Sequence, residues 1–371
     1  MNIVITDCFD TWEHRADLLL KVLAEEGHRV QVLMSDFRHI EKSRRFDRKD
    51  NFIFFTAEPY KKNISIERLY SHTQLSIDMF SWVEEHERKI DILWVLAPPN
   101  SFVKNAAEIK QKHNHIKLVI DLIDLWPETM PMGGFKHTPA FYMWRMIRDG
   151  NLKYADVIIT ECNLYRKALG RVLDGKRVET LYLARKDTGY EPHLNLPDNQ
   201  INLCYLGSIN NIIDIDTIGK IIEKCGKIRP VKLIIAGHGE KKHELCSTAK
   251  AAGAKVDFRG TVYDRGEKQR IFDSCHYGLN IMKDSVCVGL TMKSIDYFES
   301  GLPIINNIKG DTWDVIEKYG CGMNIDKEIN IGNKNNFLNE KWHIDRRENS
   351  RAFFEEYLTE DVFRKKMMRL L

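Results

Sequence analysis

Two successive doubly wound α/β domains are what this sequence predicts, and three observations predict them. Short runs rich in valine, isoleucine and leucine alternate with longer segments of helical period, the pattern of a parallel sheet covered on both faces. That alternation breaks once, around residues 187–200, and then restarts. At 371 residues the chain also exceeds what one hydrophobic core usually supports.

Taken in order, NIVIT (2–6) leads into a helix around 14–26, and after the EGH turn RVQVLM (29–34) supplies the next strand. DILWVLA (91–97), a helix near 101–113, KLVIDLI (117–123), a helix near 138–153 and DVIIT (156–160) continue the pattern, so residues 1–186 are read as the first domain. DTGYEPHLNLPDNQ (187–200) holds two prolines, a glycine and little periodicity, which marks a linker. The second domain, 201–346, opens with INLCYL (201–206), the Gly207-Ser208 turn and a helix near 214–226. KLIIA (232–236) runs into GHGE (237–240) and another helix, and VDFRG, YGLNIM and PIIN follow as strands. From about Arg347 onward, FFEEYL and VFRKKMMRLL each read as amphipathic helix within a C-terminal segment, 347–371.

Composition narrows the function. With 43% hydrophobic and 29% charged residues and a net charge of only +3, dedicated nucleic-acid binding is not expected. No run approaches the length of a membrane span, and MNIVITD opens as a strand without the layout of a signal peptide, so cytoplasmic residence is expected. The eight cysteines are scattered with no CxxC pair, as reduced thiols would be.

Three loops of the second domain fit ligand binding beyond the carboxyl ends of strands: Leu206-Gly207-Ser208, Gly237-His238-Gly239-Glu240, and Gly289-Leu290-Thr291-Met292-Lys293. None completes a GxGxxG or Walker A pattern, so neither a nicotinamide nor an ATP site is indicated. A nucleoside diphosphate remains suitable. Lys293, in the first turn of a helix, would add a full charge at a phosphate site, and Asp296, three residues on, could accept hydrogen bonds from two ribose hydroxyls. The competing reading is a solvated i, i+3 ion pair.

The segment GLTMKSIDYFESGLPIINN resembles the donor-nucleotide motif of family 4 glycosyltransferases, whose GT-B fold sets two Rossmann-like domains face to face across a cleft, with a C-terminal helix crossing back to the first. CYLGSINN resembles the first loop of their C-terminal domain, LIIAGHGEKKHEL their next glycine turn, and VDFRGTV, which contributes Arg259, the strand lining the base. VIDLIDLWPETM and YADVIITEC resemble segments of a subgroup that builds bacterial surface polysaccharides. The resemblance implies a retaining transfer from a nucleotide-sugar, with UDP expected, and no cofactor or metal. It implies a donor site of Gly207, Ser208, Gly237, His238, Gly239, Arg259, Gly289, Leu290, Thr291, Lys293 and Asp296. The chain departs from the family in places: Val288 stands where a glutamate contacts the donor sugar, Asp296 replaces the second glutamate with a similar carboxylate, Ser208 stands where an arginine is usual, and the loop Asp7–Arg15 lacks the usual glycines. Phosphate stabilisation is then expected from Lys293 and from N–H groups near Leu290 and Thr291. Those departures also leave open a non-catalytic subunit of the same fold, and a nucleotide-sugar 2-epimerase is a further alternative.

On the acceptor side, a glycan or lipid-linked acceptor is expected. Asp124, at the carboxyl end of KLVIDLI, is the candidate for orienting its hydroxyl, or else caps the turn before Pro127. Glu13 and His14 could contact acceptor hydroxyls, with helix capping by Asp10 or Thr11 as the alternative; Glu128 is a further candidate, and Trp126 is read as packing. RHIEKSRRFDRK (38–49) carries six positive and two negative side chains. Together with FYMWRMI (141–147) it could meet anionic lipid at the inner face of a membrane, or form a solvated loop beside a buried helix.

Overall fold

The computed structural model describes residues 1–130, 133–189, 193–332 and 335–371. The chain divides into two compact units, Met1–Leu183 with Arg364–Leu371, and Ala184–Phe363.

In the first unit the elements are β1 (Asn2–Asp7), α1 (Glu13–Glu25), β2 (Arg29–Ser35), a small hairpin of β3 (Phe37–Arg38) and β4 (Ser43–Arg44), and β5 (Phe52–Phe55). Then follow α2 (Ile66–Glu85), β6 (Ile92–Ala97), α3 (Asn100–Lys112), β7 (Lys117–Leu122), α4 (Pro139–Asp149), β8 (Val157–Thr160), α5 (Asn163–Leu169) and β9 (Val178–Thr180). The sheet runs β5-β2-β1-β6-β7-β8-β9 with every pairing parallel. Its central strands, ILWVLA in β6 and nearly all of KLVIDL in β7, are buried, as continuous apolar runs covered on both faces must be. Ala16, Leu19, Val22 and Leu23 turn one stripe of α1 to the core. One ion pair lies within that core: Arg15 grips both oxygens of Asp121 at 3.0–3.1 Å, Trp94 donates to the same carboxylate at 3.1 Å, and Arg15 also donates to the Leu181 carbonyl. Asp121 is therefore an internal strut.

The second unit holds β10 (Ile201–Leu206), α6 (Ile215–Gly226), β11 (Val231–Ala236), α7 (Lys242–Ala251), β12 (Ala254–Gly260), α8 (Arg265–Asp273) and β13 (Tyr277–Asn280). After these come α9 (Met292–Glu299), β14 (Ile304–Asn306), α10 (Asp311–Tyr319), β15 (Gly322–Asn324), α11 (Asn335–Leu338), α12 (Glu340–Tyr357) and α13 (Glu360–Met368), whose last residues belong to the first unit. Its sheet, β12-β11-β10-β13-β14-β15, is again all parallel.

Several segments differ from expectation. The stretch read as a linker is fastened along the second unit: Arg185 exchanges backbone bonds with Leu358 and Glu360 at 2.8 and 3.0 Å, Asp187 pairs with Arg351, and the Asn195 N–H reaches the Asp273 carbonyl at 3.1 Å. Its residues 190–192 lie outside the described residues. The C-terminal helical segment begins earlier, at Glu340, and most of it belongs to the second unit. Only Arg364–Leu371 joins the first, where Lys117 donates to the carbonyls of Leu370 and Leu371 at 2.6 Å and Arg364 meets Glu25 and Glu26. The basic stretch 38–49 contains the β3–β4 hairpin, and carboxylates answer much of its charge: Arg45 pairs with Glu13 and Asp47 at 2.8 and 2.6 Å, Lys49 with Glu13 and Asp17, and Arg38 with Glu41 and Asp47. No helix among the described residues is long and apolar enough to cross a membrane.

Candidate active site

In each sheet the strand order reverses once, between β1 and β6 in the first unit and between β10 and β13 in the second. At such a reversal the connecting loops run to opposite sides and leave a crevice beyond the strand ends.

In the second unit, α9 begins beyond β13. Thr291 caps it: its hydroxyl accepts from the Ser294 N–H at 3.1 Å, and Ser294 Oγ accepts from the Thr291 N–H at 3.0 Å. The Thr291 N–H is therefore spent within the helix, which corrects the expectation that it faces a phosphate. The N–H groups of Met292 and Lys293 remain as first-turn donors beyond the helix's own ladder. Thr291 Oγ1 also donates to Asn280 Oδ1 at 2.8 Å, and Asn280 and Asn306 continue a buried amide ladder to Asn324 at 2.9 Å per step. Gly289 and Leu290 are buried, and the Gly289 carbonyl is held by both the N–H and the hydroxyl of Thr312, at 2.9 and 2.7 Å. The loop before α9 is thus fixed from both sides.

Lys293 is buried against β10, with its ammonium 4.8 Å from the centroid of the Tyr205 ring. Among the described residues no carboxylate lies within ion-pair reach of it, and burial lowers its pKa from 10.5 to about 8. The solvated Lys293–Asp296 pair weighed from the sequence does not form. Asp296 points elsewhere, 3.7 Å from Lys268 Nζ and 3.8 Å from Arg185 Nε. It lines a cavity of about 930 Å³ together with Arg185, His193, Arg265, Lys268 and Glu299. Lys293 lies outside the lining of that cavity.

The glycine loops prove to be packed on each other. The Gly207 N–H bonds the Ala236 carbonyl and the Ile209 N–H the His238 carbonyl, both at 2.9 Å. A Cβ on Gly237 would stand 1.9 Å from the Gly207 carbonyl oxygen, and one on Gly239 2.2 Å from that of Ile209. These two glycines are accounted for by the contact between loops. Ser208 and His238 are exposed at its rim. Arg259, on the edge strand β12, is held by Asp257 at 2.8 Å.

In the first unit, Asp124 follows β7 and is half-buried. Its carboxylate accepts from the Leu125 N–H at 2.8 Å, from Trp126 Nε1 at 2.9 Å and from the Tyr165 hydroxyl at 3.4 Å, while burial holds its pKa above the ordinary carboxylate value. With Phe9, Trp12, His39, Arg68 and Trp126 it lines a cavity of about 320 Å³. Trp126, read as packing, thus also forms wall. At the end of β1, Asp7 is wholly buried: one oxygen accepts from the Phe9 N–H at 3.0 Å, the other has no hydrogen-bond partner among the described residues, and desolvation raises its pKa to about 8.

The remaining acceptor candidates do not line this cavity. Glu13 is held by Arg45 and Lys49, His14 is exposed on α1, and Glu128 is gripped by both terminal nitrogens of Arg148 at 2.8 and 2.9 Å. Asp10 and Thr11 do not cap α1; Asp10 accepts instead from the His39 N–H at 2.8 Å. Arg68, His39 and Arg185 line the cavities without any motif of their own in the sequence. Nothing in their spacing distinguishes them, because they reach the two cavities only through the tertiary fold.

The two sheets, their crevices and the helix order define the GT-B fold. No protein-family model matches the sequence, and no curated protein matches it. Among solved structures, the chain is similar over its whole length to sucrose-phosphate synthase from Thermosynechococcus elongatus, with a TM-score of 0.71, 12% identity, and 100% of this chain and 98% of that one covered. It is similar to HepE from Anabaena in complex with UDP and glucose, with a TM-score of 0.66, 12% identity and coverage of 100% and 99%. It also resembles WaaG, a glycosyltransferase involved in lipopolysaccharide biosynthesis, with a TM-score of 0.62, 14% identity and 99% of each chain covered. At these identities the likeness establishes the fold.

Proposed function

We propose that this chain is a retaining glycosyltransferase that moves a sugar from a nucleoside-diphosphate donor, a UDP-sugar, to a glycan or lipid-linked acceptor in bacterial cell-surface polysaccharide assembly, working in the cytoplasm. The observation that carries this reading is Lys293: a buried ammonium with no counter-ion among the described residues, in the first turn of α9 at the reversal of the second sheet. An uncompensated buried charge is costly, and an anionic ligand is what offsets it. The donor diphosphate is assigned to Lys293 and the first-turn N–H groups of α9, and the ribose to Asp296 one turn along, whose carboxylate faces the neighbouring cavity with Arg185 and Lys268. HepE, which shares the fold, was solved in complex with UDP-glucose.

In the reaction the acceptor hydroxyl oxygen attacks the anomeric carbon on the face from which the nucleotide leaves. The bond from that carbon to the phosphate oxygen breaks, its electron pair departs with the diphosphate, and the hydroxyl proton passes to the departing phosphate oxygen. Asp124 orients the hydroxyl, and Lys293 meets the charge that builds on the phosphate. The scheme asks for no resident metal, so turnover should persist in chelator.

A second reading rests on Val288 and Ser208: a non-catalytic GT-B subunit that supports an active partner. A thermal-shift screen of the full chain against UDP, GDP, CMP and their sugar conjugates separates the two, since a ligand of the native state raises the melting temperature. A shift with one nucleotide family supports the transferase; no shift with any transfers the weight to the subunit.

A further inference from the structure

We propose that the cavity beside Asp124 and the apolar groove adjoining it bind an acceptor that is an anionic amphiphile, with its phosphate on Arg68 and its aliphatic chain along the groove. This rests on the glycosyl-transfer reading and deepens it by naming the acceptor class.

Arg68, in the first turn of α2, is only 5% exposed. Its side chain donates to the Asn63 carbonyl and lies 4.4 Å from the Trp126 ring, but its Nε has no hydrogen-bond partner among the described residues. Among the described residues it makes no salt bridge. A guanidinium stripped of water, which feels the Asp124 charge but makes no salt bridge among the described residues, is a ready site for a phosphate or carboxylate ligand. Phosphate is favoured by the neighbouring donors. His72 is buried, and among the described residues neither of its ring nitrogens has a hydrogen-bond partner. A phosphate has oxygens enough to serve both Arg68 and His72.

The second half of the site is apolar. A groove of about 440 Å³ runs past Ile64, Ile66, Leu69, Phe135 and Trp144, and it shares Asn63, Ile64, Arg68, Trp126 and Met130 with the Asp124 cavity. One ligand can therefore touch Arg68 from either side. The mouth of the groove is exposed and apolar: Ile66 is 82% exposed, Ile64 50% and Leu69 44%. On α4, Met143 and Met146 are exposed as well, at 68% and 67%. Apolar surface of this kind beside a buried cation matches a chain that carries a phosphate at one end. The carboxylate of Asp124, on the same cavity wall, is then placed to meet a hydroxyl of whatever the phosphate carries.

Titration calorimetry of the full chain with farnesyl phosphate, farnesol and inorganic phosphate tests this. Farnesyl phosphate should bind at least tenfold tighter than either other probe. Arg68→Gln should reduce it to the level of farnesol, and Ile66→Asp, at an exposed position that folding does not need, should weaken farnesyl phosphate and farnesol alike. Equal binding of farnesyl phosphate and farnesol to the wild type, or an Arg68→Gln variant that binds farnesyl phosphate unchanged, overturns the proposal. So does equal binding of both proteins to phosphatidylglycerol vesicles that abolishes the farnesyl phosphate signal, which would make the face a membrane-docking surface. UDP, GDP and CMP are titrated in parallel: if one of them binds and farnesyl phosphate does not, this inference alone fails, and if none of them binds the wild type, the glycosyl-transfer reading fails.

Discussion

Lys293 holds its ammonium 4.8 Å from the centroid of the Tyr205 ring, with the ring face as its one close electrostatic partner among the described residues. A cation–π contact offsets only part of the cost of desolvating an ammonium. The lysine is consequently a destabilising element of the chain on its own, and that cost can be measured.

Replacing Lys293 with methionine should raise stability at neutral pH while weakening nucleotide binding. In the folded chain its pKa is lowered from 10.5 to about 8. Between those values the unfolded chain holds a proton that the native chain has released, so wild-type stability rises with pH across that window. The Lys293→Met variant lacks that rise. Urea unfolding at pH 7 and pH 10 should show the variant ahead by on the order of 1–3 kcal/mol at pH 7 and the gap closing by pH 10.

Asp7 should show the opposite slope. Its pKa is raised to about 8 by desolvation. From the ordinary carboxylate range up to pH 8 the native chain keeps a proton that the unfolded chain has lost, so stability falls as pH rises, by at most about 1.4 kcal/mol per pH unit. Asp7→Asn should be more stable than wild type at pH 8, with the advantage shrinking toward pH 4; urea unfolding at pH 4, 6 and 8 measures it.

Asp124→Asn should lower kcat by about 100- to 10,000-fold and leave the affinity for UDP unchanged. Because burial raises the Asp124 pKa, the acid limb of the wild-type rate profile should lie above the ordinary carboxylate range. Steady-state rates from pH 4 to 8 check both statements. Unchanged turnover in the variant would reduce Asp124 to a turn residue that holds the Leu125 N–H and the Trp126 indole.

Gly237→Ala and Gly239→Ala should each cost about 2–4 kcal/mol. The added methyl would meet a backbone carbonyl in both cases, at 1.9 Å and 2.2 Å, and a carbonyl inside a packed loop cannot swing aside as a long side chain can. Denaturant midpoints would register the loss.

The α/β alternation was legible because β1, β6, β7, β10 and β11 are buried runs with little polar interruption. Helix α2 was not read. Ile66, Leu69, Tyr70 and Ile77 are exposed apolar residues on it, and they blur the stripe that marks a helix packed on a core. Arg68 and His72 were lost with it. The position of α9 could be read from its glycines and its turn, and Lys293 and Asp296 with it. Their separate surroundings could not, since Tyr205, Lys268 and Arg185 converge on α9 only in the folded unit. Glu13 and Glu128 looked available in the sequence because their partners, Arg45 and Arg148, lie 32 and 20 residues away.

The central claim is that Lys293 receives a nucleoside diphosphate, and titration calorimetry of UDP into the wild type and Lys293→Ala at pH 7 and pH 9 tests it most directly. UDP should bind the wild type, lose roughly 30- to 700-fold in affinity in the variant, equivalent to about 2–4 kcal/mol, and bind the wild type more weakly at pH 9 than at pH 7, as the free lysine loses its proton near pH 8. Equal UDP affinity in the two proteins at both pH values would contradict the assignment.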